Sequence, residues 1–138
     1  MRNFAVIPAF AILTAGTVSV GCTKPQAMNP SSSVPASEGT VKATKGDDGN
    51  THVKVHVRHL AAPSNVEADS TIYMVWIQAR DGANQSVGAL TVSDQLEGTL
   101  ETITPHRRFT LSVTPEPNVK VALPTHDAVF TAQVEVKD

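Results

Sequence analysis

Five histidines, one cysteine and a glutamate set between two prolines are the residues of this 138-residue chain whose types could carry chemistry. His52, His56 and His59 recur at intervals of four and three. On a helix that spacing would gather three imidazoles on one face, a set suited to zinc or copper. The intervening Val53, Val55 and Val57 alternate with polar residues, however, and predict a strand. On a strand His52 and His56 share a face but stand about 13 Å apart, and His59 points the other way. Nitrogens that each bind one ion at ~2.0–2.1 Å cannot be so far apart. The expectation is a solvated strand face, with no metal and no cofactor, and with these three histidines as the candidates should a metal bind. His106 and His126 fall in predicted turns, from which either could meet another histidine.

Catalytic constellations are no better supported. There is no Gly-x-Ser-x-Gly elbow, and His126-Asp127 with a distant serine is a combination most chains could supply. Glu97 and Glu101 share a strand face, but four residues of strand again span about 13 Å. The carboxylates of glycoside hydrolases stand only ~5–9.5 Å apart. No glycine-rich phosphate loop is present. Glu116 differs, because Pro115 and Pro117 fix the backbone on both sides of it. Its carboxylate is expected either to satisfy backbone N–H groups within an inter-strand crossover or to form a recognition surface, pairing with Arg107 or Arg108. The chain is expected not to be an enzyme.

The N-terminus is legible as a targeting element. Arg2 precedes an apolar run from Phe4 to Val20, which closes on Ser19-Val20-Gly21 before Cys22, the only cysteine. Gly21-Cys22 resembles the lipobox of bacterial lipoproteins, with Ser19 where that family usually has leucine. The resemblance implies cleavage after residue 21 and a diacylglycerol thioether on Cys22, usually with an acylated amine. Two or three acyl chains anchor stably at ~0.8 kcal/mol per buried methylene. Thr23 is not the aspartate that commonly retains such proteins in the inner membrane. The expected location is the bacterial envelope, at the outer membrane and facing the periplasm. Removing Arg2 from the eleven basic residues leaves ten against thirteen acidic ones, without a basic block. Nucleic acid is therefore not expected as a partner; the expected partners are the membrane and an envelope protein.

Behind the signal, residues 22–49 are rich in Pro, Ser, Ala, Thr, Lys and Gly and read as a flexible tether, with an optional edge strand at 39–44. Such a tether has a root-mean-square reach of about 25–30 Å. Residues 50–138 read as strands throughout. Thr71 to Ala79, TIYMVWIQA, is apolar on both alternating faces and must be covered on both sides. An Asp81-Gly82 turn follows it. Further strands are expected over 86–92, 95–104, 108–114, 119–123 and 130–136, with Pro115 to Asn118 too proline-rich for a central strand. About seven strands at this spacing predict an all-β, immunoglobulin-like antiparallel sandwich in which Trp76 packs between the sheets.

One succession of motifs has a parallel. The Trp76 strand, Val87-Gly88-Ala89-Leu90, Val113-Thr114-Pro115-Glu116-Pro117 and Pro124-Thr125 follow one another in order. This resembles the extracytoplasmic C-terminal domain of membrane-bound anti-sigma factors, and covers roughly residues 73–136. The resemblance implies a fold, a side of the membrane and a link to envelope-stress signalling. It does not extend to sigma-factor binding, because no residue here corresponds to the segment that would perform it.

Overall fold

The computed structural model describes residues 24–137, so the expected signal segment and the expected lipidation site, Cys22, lie outside the described residues. Nine strands and one short helix follow in order: β1 (Gln26–Ala27), β2 (Asn29–Pro30), β3 (Glu38–Lys45), β4 (Thr51–Arg58), α1 (Pro63–Val66), β5 (Ile72–Ala79), β6 (Gln85–Leu90), β7 (Gly98–Thr104), β8 (Arg108–Glu116) and β9 (Phe130–Glu135). They form two antiparallel sheets, ordered β1-β3-β4-β7 and β2-β9-β8-β5-β6. The fold is the all-β sandwich expected, with seven long strands and two additional pairings of two residues each.

The core between the sheets follows the alternation read from the sequence. Val53, Val55 and Val57 of β4, Phe109, Leu111 and Val113 of β8, and Phe130, Ala132 and Val134 of β9 are all buried in it. From β5 it receives Tyr73, Val75 and Ile77. Burying a side chain of this size contributes about 1.5–3 kcal/mol, and the chain has no second cysteine to add a disulfide.

Three expectations are corrected. The stretch 24–49 is not a tether, because β1, β2 and β3 lie within it, and β3 pairs with β4 over eight positions. Its polar composition conceals a small buried set, Met28, Val34, Gly39 and Val41, spaced so that an edge strand and its approach bury only some residues. Residues 119–123 form no strand; they belong to a crossover from Pro117 to Val129 without regular structure. In turn, β8 runs on through Pro115 and Glu116 although it is a central strand. The alternating direction of backbone groups explains this. Val113 O accepts from Val129 N on the β9 side, and Glu116 O accepts from Thr71 N on the β5 side. The missing N–H of Pro115 therefore falls on the β9 side, beyond Phe130 where β9 pairing has ended.

All connections agree on two ends of the sandwich. One carries the β3–β4 and β5–β6 turns, the start of β8 and the end of β9. The other carries residues 31–37, the 59–71 segment with α1, the 91–97 turn and the crossover. The chain enters β1 opposite Val41, midway along β3, and runs from the first end towards the second.

Candidate functional site

The second face of β5 holds the polar chemistry of the fold. Met74 and Trp76 alternate with the core residues and so lie on the outer face of the five-stranded sheet; Trp76 does not pack between the sheets as expected, because Tyr73, Val75 and Ile77 take that face, yet it is fully buried. The sheet register sets Met74 beside Thr114 and Ile72 beside Glu116 on that same face. Trp76 Nε1 donates to Thr114 Oγ1 at 2.8 Å, and Thr114 Oγ1 donates to Glu116 Oε1 at 2.7 Å. The Thr125 backbone N–H donates to Glu116 Oε1 at 2.9 Å, and the Thr125 hydroxyl donates to Oε2. A fully buried carboxylate thus receives three hydrogen bonds, which is what permits a group of this polarity inside a protein.

This network ties the crossover down over the sheet. It also decides between the two roles expected of Glu116: the carboxylate is used internally and satisfies a backbone N–H. Pairing with the arginines does not occur. Arg108 is at the opposite end of β8 and meets Glu135 at 2.9 Å. That guanidinium, through its hydrogen bond and its charge, lowers the Glu135 carboxyl below its ordinary range. Arg107 precedes β8 at that same end, where its backbone O accepts from Val136 N.

The crossover then presents His126, the residue after the clamped Thr125, to the loop that follows α1. His126 Nε2 lies 2.8 Å from Asp69 Oδ1, and Nδ1 lies 3.8 Å from Glu67 Oε2. One ligand atom from each of Glu67, Asp69 and His126 falls within 4.8 Å of the others, and among the described residues this is where His, Cys, Asp and Glu side chains converge as a metal could use them. The imidazole is the more enclosed partner, with 20% of its side chain exposed.

The other histidines stay apart. His52 faces Asp48 at 3.4 Å in the β3–β4 turn region, and His56 faces Thr99 Oγ1 at 3.0 Å. His59 stands just beyond β4, exposed, with a left-handed φ of 55°. The solvated face expected of β4 is what the structure has. Sequence reasoning missed Glu67 and Asp69, which stand in a loop without a recognisable motif and 57 or more residues from His126.

The chain matches no family model, no curated protein and no solved structure. Within it, Trp76, Thr114, Glu116 and Thr125 are parts of one hydrogen-bonded unit.

Proposed function

We propose that the protein is a non-enzymatic, lipid-anchored module of the bacterial envelope, a β-sandwich held at the periplasmic face of the outer membrane to bind or sense another envelope component. The observation that carries this reading is the placement of Cys22, the only cysteine, directly after an apolar signal and four residues before Gln26, the first residue of β1. Four residues span at most ~14 Å. On this reading the folded domain is held close to the membrane rather than on a long tether.

The buried network supports a scaffold role for Glu116, whose carboxylate oxygens are spent on holding the crossover. Metabolic labelling with a palmitate analogue tests the anchor. Label is expected on the wild type and not on Cys22→Ser; an unlabelled wild type or an equally labelled variant refutes it. Crosslinking in intact cells, from positions in the crossover and from positions in the β5–β6 turn, then reports which end meets a protein partner.

A further inference from the structure

We propose that Glu67, Asp69 and His126 form a binding site for one divalent transition-metal ion of the zinc class, at the end of the sandwich that carries α1 and the crossover. The site is independent of the anchor reading. Three observations carry it. First, the donor set is chemically apt: one imidazole nitrogen and two carboxylate oxygens within 4.8 Å of one another, close to the separations that ligands at ~2.0–2.2 Å from a shared ion require.

Second, the charges are not balanced by the protein. Neither Glu67 nor Asp69 meets a lysine or arginine among the described residues; the one charged or chargeable partner of both is His126. A neutral imidazole leaves two carboxylates facing each other with no cation, and a protonated one offsets a single charge. A divalent ion offsets both and relieves their repulsion.

Third, the histidine is held by the fold while the carboxylates can adjust. Thr125, its neighbour, is fixed through its backbone N–H and its hydroxyl by the buried Glu116, and the imidazole is four-fifths enclosed. Asp69 and Glu67 are more exposed, with 63% and 45% of their side chains accessible. As arranged, the imidazole bridges them, Nε2 to Asp69 and Nδ1 to Glu67. A single ion takes one ring nitrogen, so its binding at Nε2 requires the exposed Glu67 carboxylate to move from Nδ1 to the Asp69 side. Three protein ligands leave at least one position for water or for a donor from a partner.

Zinc titration of the full purified chain in detergent, followed by calorimetry and by melting temperature, tests the site. The wild type is expected to bind one ion per chain saturably and to melt higher with zinc present. His126→Ala abolishes that binding, and Asp69→Asn weakens it at least about tenfold, the loss that even outer-sphere partners of a metal produce. Asp69→Asn keeps a hydrogen-bonding group beside His126, so an unchanged melting temperature without zinc shows that its effect is not unfolding. His52→Ala and His56→Ala leave binding as in the wild type. Absence of saturable zinc binding by the wild type overturns the proposal, as does binding that persists unchanged in both His126→Ala and Asp69→Asn.

Discussion

Glu116 and Thr125 are joined twice: the backbone N–H and the hydroxyl of Thr125 both donate to the one carboxylate, at the fully buried end of β8. Eight residues of irregular chain lie between them, so this contact is what holds the crossover to the end of β8. Glu116→Ala leaves the Thr114 hydroxyl and both Thr125 donors without their acceptor. The buried Thr114 hydroxyl left unpaired costs ~1–3 kcal/mol, whereas the donors of exposed Thr125 can turn to water, so a loss of about 1–3 kcal/mol in denaturant unfolding is expected. Hydrogen exchange at Thr125 should rise in the same variant. An unchanged midpoint would show that the crossover is held by something else.

Trp76 separates packing from hydrogen bonding. Trp76→Ala empties a fully buried site and is expected to cost ~3–5 kcal/mol. Trp76→Phe keeps much of the ring but removes the donor to Thr114, for a smaller loss of about 1 kcal/mol. Thermal melts of the two variants check the ranking. Since Trp76 is the only tryptophan, wild-type emission should be blue-shifted and insensitive to aqueous quenchers.

Tyr73 is the chain's only tyrosine, and its hydroxyl donates to Ala61 O at 2.6 Å. Burial raises its pKa from 10.0 to about 12. The folded state therefore holds its proton where the unfolded state has released it. Tyr73 makes its full contribution to stability below pH 10, and loses it as pH rises through the window from 10 to 12. Phenolate absorbance should appear near the higher value in native protein and near the lower in denaturant. A single native transition near 10 contradicts the burial.

The domain boundary can be tested by truncation. A fragment beginning at residue 50 lacks β3, which pairs along the whole of β4, and lacks the buried Met28, Val34 and Val41. It is expected not to fold, whereas a fragment beginning at Lys24 should show a cooperative melt. Met28→Ala in the longer fragment should cost ~2–5 kcal/mol. Circular dichroism of the two fragments distinguishes a domain of residues 24–137 from one of 50–138.

Much of the fold was legible because a strand reports its faces locally. The alternation in β4, β8 and β9 and the doubly apolar β5 required a two-sided sheet, and the Asp81-Gly82 turn fell where expected, with Gly82 N bonding to Ala79 O. Residues 24–45 were less legible. An edge strand buries few side chains, so its composition resembles that of a linker, and Pro115 speaks against a central strand only where a ladder needs the N–H it lacks, which here it does not.

By itself, then, the sequence determined a β-rich domain behind an apolar N-terminal run and a lone cysteine, and it determined which residues of each strand share a face. Period-two patterning is a property of neighbouring residues, and the chain carries it wherever it goes. Which of the two faces of β5 turns toward the other sheet was decided only by tertiary structure. The answer placed Tyr73, Val75 and Ile77 in the core and Trp76 on the outer face, bonded to Thr114. The meeting of Glu67, Asp69 and His126 was likewise decided by tertiary structure, because it depends on two loops brought to one end by strand order and held there by Glu116. Contacts between residues so far apart in sequence leave no periodic signal in either segment, so only the assembled sheets could bring them together.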